Sequence, residues 1–251
     1  MFLEERHQKI LEMLDRDGRV AVPHLAKEFA VTEDCIRKDL KQLCAEGRCR
    51  RVYGGATKME APAVRDVNGR IGLFAAEKQV IAKKAFGLIE PGQTIFLDIS
   101  TTNLRIAQLL ASEGVACTVV SPMVDVLRAV AATPGITGIC PGGTMHPSLN
   151  GFVGALAVDA MDRFRFEVAF LGAYGIDAEA REVTTYDVDD GLVKAAAIER
   201  AARSYLVSEL RKVGAFGTYR YASLEDFDAL ICDDATAADA DLVRSAGLEV
   251  L

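Results

Sequence analysis

Thr32-Glu33-Asp34-Cys35-Ile36-Arg37-Lys38-Asp39-Leu40 is the stretch on which the fold of this chain turns. Ile36, Leu40, Leu43 and Cys44 fall at i, i+4, i+7 and i+8, the spacing of one helical face. At about 100° per residue, Lys38 lies nearly opposite that face, Cys35 and Lys41 flank it, and Arg37 sits nearer its border. Thr32 is placed to cap the helix, because its hydroxyl accepts a first-turn backbone N–H. The pattern predicts a helix with one side fixed to a small core and a basic side open to a polyanion.

The flanking residues make that prediction specific. Pro23 stands where a helix can begin, since a first-turn residue needs no N–H. Leu25, Ala26 and Phe29 supply an apolar stripe, and Ala30-Val31 connects to Thr32. Two short helices joined by a tight turn make a helix-turn-helix, although a plain αα-hairpin has the same pattern. Downstream, Arg48-Cys49-Arg50-Arg51-Val52-Tyr53-Gly54-Gly55 reads as a basic hairpin, suited as a wing along a phosphate backbone. Thr32, Cys35, Arg37, Lys38 and Lys41 are therefore the expected DNA-facing residues of the helix. Arg50, Arg51 and Tyr53 are the expected contacts of the wing. Leu3, Ile10, Leu11 and Leu14 predict a first helix over about residues 3–16, ended by Asp17-Gly18. His7 lies on its apolar side and reads as a packed or hydrogen-bonded histidine.

Charge distribution agrees. The 251 residues carry a net charge of −7. Residues 1–60 hold 12 Lys/Arg against 11 Asp/Glu, while the remaining 191 hold 17 against 25. Within 35–58, seven Lys/Arg face only Asp39 and Glu46. A local cationic footprint on an acidic chain suits phosphate contact without general adhesion to nucleic acid. No apolar run reaches the roughly 18 residues of a membrane span, and the acidic start, Glu4-Glu5, has no signal-peptide core. A cytoplasmic protein is expected. Cys35, Cys44, Cys49, Cys117, Cys140 and Cys232 form no Cys-x-x-Cys pair and no zinc spacing, so free thiols are expected, with no metal and no cofactor.

Residues 1–57 are thus the expected winged helix-turn-helix domain. Pro62, Asn68-Gly69 and Gly72 interrupt any period and predict a linker over 58–75. From there to 251, apolar runs near 94–97, 117–120, 136–140, 168–171, 205–207 and 229–232 alternate with helical patterns near 76–90, 101–113, 122–132, 151–163 and 189–203. A terminal helix and strand close the chain. That alternation predicts an α/β domain with a mostly parallel sheet. Lys78, Lys83 and Lys84 read as a solvated charge cluster.

Ligands of open α/β sheets gather beyond the carboxyl ends of the strands. There, Ser100-Thr101-Thr102-Asn103 offers hydroxyls and N–H groups at a helix start, a ready anion site. Gly142-Gly143 and Gly172-Ala173-Tyr174-Gly175 admit close backbone approach. Asp98 is placed to accept sugar hydroxyls, and Lys194 and Lys212 to charge-pair with a phosphate. Singly, each has a plainer reading as a cap, a turn or a solvated lysine. Their succession at strand ends points to a phosphorylated sugar or polyol. No catalytic triad, Walker loop or dinucleotide fingerprint is present. A rival reading is a sugar-phosphate isomerase-like enzyme with an accessory nucleic-acid module, for which Asp98, Asp177 or Asp187 would be the base. Another is a helix-turn-helix used only for protein contacts.

Nearly the whole chain resembles the DeoR-type bacterial transcriptional regulators. Arg6…Ile10-Leu11, Val20…Leu25-Ala26…Phe29, Val31-Thr32…Ile36-Arg37-Lys38-Asp39-Leu40 and Tyr53-Gly54-Gly55-Ala56 follow that family's winged helix-turn-helix signature. Leu97-Asp98-Ile99-Ser100-Thr101-Thr102, Gly142-Gly143, Phe170-Leu171-Gly172-Ala173-Tyr174-Gly175-Ile176 and Glu209-Leu210-Arg211-Lys212 resemble its sensor domain. The resemblance implies a ribose-5-phosphate isomerase-like fold without isomerase activity. It further implies a repressor of a carbohydrate or polyol catabolic operon, double-stranded operator DNA and a phosphorylated sugar or polyol as partners, and a homo-oligomer, dimer or tetramer. The chain departs from the family at Thr32 and Cys35, where Ser and Thr are usual, at Lys38 for Arg and at Tyr53 for His. Other departures are Ile99-Ser100, Asp190-Gly191 and Glu209-Leu210-Arg211-Lys212-Val213.

Overall fold

The computed structural model describes residues 3–17, 19–45, 48–52, 54–58 and 66–251, and within these the side chains of Glu4, Asp15–Asp17, Ala45, Arg50, Arg51, Lys58 and Asn68 are not among those described. The chain divides into two compact units, Met1–Ala63 and Val64–Leu251.

In the first unit, helix α1 (Leu3–Asp17) leads to strand β1 (Arg19–Ala21), helices α2 (Val22–Glu28) and α3 (Glu33–Ala45), and strands β2 (Cys49–Val52) and β3 (Gly55–Lys58). The three strands form an antiparallel sheet in the order β1-β3-β2. Pro23 does lie in the first turn of α2. The turn into α3 places Ala30 at φ +52°, left-handed backbone that a side chain resists. Ile10, Leu14, Leu25, Ile36, Leu40 and Leu43 fill one core. Three helices and a small sheet close it because the apolar face of α3 meets those of α1 and α2. The wing pairs over more residues than the expected hairpin, because β3 runs on to Lys58 and is shared with β1. Gly18 and Tyr53 lie outside the described residues.

The second unit begins with α4 (Val67–Arg70) and α5 (Ala75–Phe86), so the latter part of the expected linker is helical; residues 59–65 lie outside the described residues. Then follow β4 (Thr94–Leu97), α6 (Thr101–Glu113), β5 (Cys117–Val120), α7 (Val124–Val130), β6 (Ile136–Ile139), β7 (Thr144–His146), β8 (Gly151–Val153) and α8 (Ala155–Met161). After these come β9 (Val168–Gly172), β10 (Gly175–Asp177), β11 (Glu182–Thr185), α9 (Val188–Glu199), β12 (Ser204–Val207), β13 (Tyr219–Ser223), β14 (Ala229–Ile231), α10 (Ala238–Ser245) and β15 (Glu249–Val250). Residues 151–153 are a strand, not the start of a helix: they pair with β7.

Seven strands make one parallel sheet in the order β15-β14-β12-β9-β4-β5-β6. Alternation sends Ile95, Leu97, Val168 and Phe170 to the face covered by α5, α6 and α7. Phe96, Ala169 and Leu171 face α8, α9 and α10. Burial on both faces is why these strands are continuously apolar. Beside the sheet lie the hairpin β7–β8 and a small antiparallel sheet, β10-β11-β13. Of the lysine cluster only Lys83 is exposed. Lys78 is buried, and Lys84 Nζ donates to the carbonyls of Cys232 and Leu251.

Candidate functional site

The first unit presents α3. Cys35 N donates to Thr32 Oγ at 3.2 Å, which caps the helix as its sequence predicts. Ile36, Leu40 and Leu43 are fully buried, while Thr32, Arg37, Lys38 and Lys41 are exposed and Cys35 half-buried. Arg37 is held by its own helix, with NH2 2.6 Å from Glu33 Oε2 and NH1 2.7 Å from Asp34 Oδ1. Beneath the helix, Asp39 accepts from Arg6 Nε at 2.6 Å and lies 3.3 Å from His7 Nε2. His7 is thus a hydrogen-bonded core histidine whose partner is remote in sequence. The hydrogen bond from Arg6 to Asp39 raises the guanidinium's pKa, with burial opposing. This pair fixes the helix to α1 from below, and the exposed side carries Arg37, Lys38 and Lys41 together with Glu33 and Asp34. The backbones of Arg50 and Arg51 lie in β2, but their side chains, like Tyr53, lie outside the described residues.

The second unit has a cleft of about 270 Å³. It opens at the carboxyl ends of β4 and β9, where the chain winds away in opposite directions across the sheet. One wall is Ile99, Ser100 and the first turn of α6, Thr101 and Thr102. Ser100 caps α6 by accepting from Asn103 N at 3.1 Å, and the first turn holds no acidic residue. First-turn N–H groups have no acceptor within a helix, so this end favours an anion. Gly172, Ala173 and Tyr174 follow from β9. A Cβ at Gly172 would lie 2.8 Å from Ser100 Cβ, so only glycine lets the two strand ends approach. Thr185, Tyr186 and Asp187 close another side, with Tyr186 and Tyr174 rings 3.8 Å apart. His146 comes from the end of β7, Ser148 and Leu149 from the turn between β7 and β8, and Arg70 from the end of α4.

Two charged groups organise the floor. Lys194 on α9 bonds Asp98 and lies 3.5 Å from Asp190. Burial alone would pull the ammonium's pKa down, but Asp190 and Asp98 together raise it. Burial pushes the Asp190 carboxyl up. On the other side Lys212 Nζ donates to Ala173 O at 2.8 Å and lies 3.0 Å from Glu209 Oε2. Burial works against the Glu209 charge, but Lys212 and Arg211 overcome it and bring the carboxyl down to about 2. Asp187 caps α9 through Asp190 N and meets His146 Nε2 at 3.5 Å. The cleft thus offers cations and a helix start for an anion, and a carboxylate, an imidazole and hydroxyls for a polyol.

The structure brings Ser100, Thr101, Thr102, Gly172, Tyr174, Lys194 and Lys212 to the cleft as expected from their positions. It does not bring Asp98, Asn103, Gly142, Gly143 or Gly175 to its lining. Asp98 is 1% exposed, and its oxygens accept from Asn103 Nδ2, Gly172 N and Lys194. Asn103 donates also to Phe170 O, so it props the strand ends. Gly142 and Gly143 follow β6, the edge strand, where a Cβ at Gly143 would strike Val153 O at 2.7 Å. A Cβ at Gly175 would lie 2.0 Å from Ala215 O, so this glycine serves chain packing. Arg70, His146, Ser148, Thr185 and Tyr186 are cleft residues that no motif marks, while Asp187, named above only as a base for the isomerase-like reading, and Asp190, named only as a departure from the family, also line it. The Asp190–Lys194 spacing of i, i+4 was the one local signal among them.

Residues 6–61 match the DeoR-like helix-turn-helix domain and residues 74–234 the DeoR C terminal sensor domain. An HTH-type transcriptional regulator, GlpR, of Haloferax volcanii is 31% identical, covering 100% of this chain and 98% of that protein. The glycerol-3-phosphate regulon repressor of Escherichia coli K12 is 27% identical over 91% of this chain and 90% of its own. Among solved structures, ribose 5-phosphate isomerase A from Methanocaldococcus jannaschii superposes with a TM-score of 0.40 at 13% identity, covering 54% of this chain and 53% of that one.

Proposed function

The chain belongs to the DeoR family of transcriptional regulators, and on that premise we propose that it represses a carbohydrate or polyol catabolic operon under the control of a phosphorylated sugar or polyol bound in the cleft. It is a regulator rather than an enzyme, as are its relatives. α3 enters the major groove of operator DNA, with Arg37, Lys38 and Lys41 as its cations and Thr32 and Cys35 beside them. Arg50, Arg51 and Tyr53 hold the wing on phosphates. One head makes few contacts, so a homo-oligomer, dimer or tetramer, reads repeated half-sites. Among the described residues no helix is long and apolar enough to cross a membrane, and a chromosomal partner puts the protein's work in the cytoplasm.

The observation that carries this reading is the meeting of an acid-free helix start with Lys212, Lys194 and Arg70 in one cleft. Ligand acts by binding two arrangements of the protein with different affinity. The test is thermal unfolding with a panel of phosphorylated sugars and polyols, each beside its unphosphorylated parent. A ligand at a hundred times its Kd adds about 2.7 kcal/mol, so a clear rise in Tm is expected for phosphorylated compounds alone. Equal response to parent compounds, or no response to any, contradicts the reading.

A further inference from the structure

One wall of the cleft has more cations than carboxylates to hold them. Arg70 and Lys212 line the cleft, and Lys78 and Arg211 lie within charge range of both, as does Glu209. Lys212 already has Glu209 and the carbonyl of Ala173, and Lys194 is shared by Asp98 and Asp190. Arg70 differs. Its Nε is buried without a hydrogen-bond partner, and Asp190, Glu209 and Asp98 act on it through space. Burial pulls its pKa down. A buried donor without an acceptor is costly, and a guanidinium fork matches two oxygens of a phosphoryl group.

We propose that Arg70 grips the phosphoryl group of the cleft's ligand, and that its place on α4 relays occupancy to the chain leading from the DNA-binding unit. This rests on the sugar-phosphate reading of the cleft and names the residue that makes it a switch. The second unit begins at Val64, so α4 is the first described helix after that junction. α4 is anchored by Val67, fully buried, and packs on the Pro147–Leu149 turn, which itself supplies Ser148 and Leu149 to the cleft. A ligand that engages Arg70 therefore fixes a short helix at the entry of the unit. Lys78 Nζ donates to Arg70 O at 2.9 Å and to Leu73 O at 2.6 Å. Those bonds go to backbone, so a change of the Arg70 side chain leaves them in place.

The test compares wild type, Arg70→Lys and Arg70→Gln, with glycerol 3-phosphate, glycerol, glucose 6-phosphate and inorganic phosphate as probes. Thermal protection reads binding, and affinity for a duplex selected from a random pool reads the switch. Each variant's fold is checked by its Tm without probe, and its DNA affinity without probe is the baseline against which its own response is read. Loss of a charged hydrogen-bond pair weakens binding by about ten- to a hundredfold, so Arg70→Gln should lose phosphate-dependent protection by that factor. Arg70→Lys should keep part of the protection and lose the effect on DNA affinity, because an ammonium cannot copy the fork. If wild type and Arg70→Gln are equally protected by a phosphorylated probe, the assignment of Arg70 is overturned and the cleft reading stands. If Arg70→Lys binds more weakly yet still shifts DNA affinity fully at saturation, the relay through α4 is overturned. If no probe protects wild type, both the cleft reading and this inference fall.

Discussion

α3 and α6 begin alike and are used in opposite ways. Each is capped by a hydroxyl three residues ahead of the N–H it accepts, Thr32 for Cys35 and Ser100 for Asn103. The first turn of α3 carries Glu33 and Asp34, whereas that of α6 carries no acid. In α3 the acids answer the helix dipole and also hold Arg37 in place. In α6 the positive end is left to the cleft. The networks beneath them differ as well. Asp39 is met by Arg6 and His7, while Lys194 must serve two carboxylates. The head has a balanced foundation and turns its charge outward, and the sensor turns its unbalanced charge inward on a cavity.

The sharpest way to break that contrast is Lys194→Met. It leaves Asp98 and Asp190 buried together, a loss of about 3–5 kcal/mol. Urea unfolding should show the second unit weakened by that amount at neutral pH, with partial recovery as acid protonates a carboxyl. Unchanged stability would mean that the network is not a foundation. A related effect of about 3 kcal/mol comes from Glu209 without mutation. Its folded pKa, about 2, lies below the ordinary 4.5. The stabilisation is therefore complete above pH 4.5 and lost as pH falls towards 2. Glu209→Gln should flatten the acid limb of the unfolding curve over that window.

Arg37→Ala should cost about 1–3 kcal/mol of specific DNA affinity and little stability, because exposed pairs contribute under about 1 kcal/mol. Glu33→Gln sharpens the comparison, since releasing Arg37 should raise DNA affinity a few-fold and steepen its salt dependence. If Arg37→Ala leaves specific binding unchanged, the recognition face is assigned wrongly. The smallest effect is at Ala30, where glycine relieves the left-handed backbone and should stabilise the head by about 0.5–1 kcal/mol in thermal unfolding.

How much of this was legible follows from where the signals lie. α3 was readable because capping, apolar spacing and charge are all local to residues 32–44. The central strands β4, β9, β12 and β14 were readable because burial on both faces leaves nearly unbroken apolar runs. β7, β8, β10, β11 and β13 were missed because short antiparallel strands at a sheet's margin carry mixed patterns, such as Glu182-Val183-Thr184-Thr185. Asp98 was located at its strand end, but position alone did not tell that Lys194, 96 residues on, would claim its side chain. Arg70 was hidden by its neighbours, since Asn68-Gly69 and Gly72 signal a turn-rich linker. Arg70, His146 and Asp187 are brought together by topology and have no common motif.

Control of this regulator by a cleft ligand requires coupling between the cleft and DNA. The direct measurement is the affinity of the protein for a selected duplex, titrated with a phosphorylated polyol that protects it from thermal unfolding and with the unphosphorylated parent. Coupling energies of about 1–3 kcal/mol predict a change of roughly five- to a hundredfold with the phosphorylated compound and none with the parent. A compound that saturates the cleft while leaving DNA affinity unchanged would contradict it.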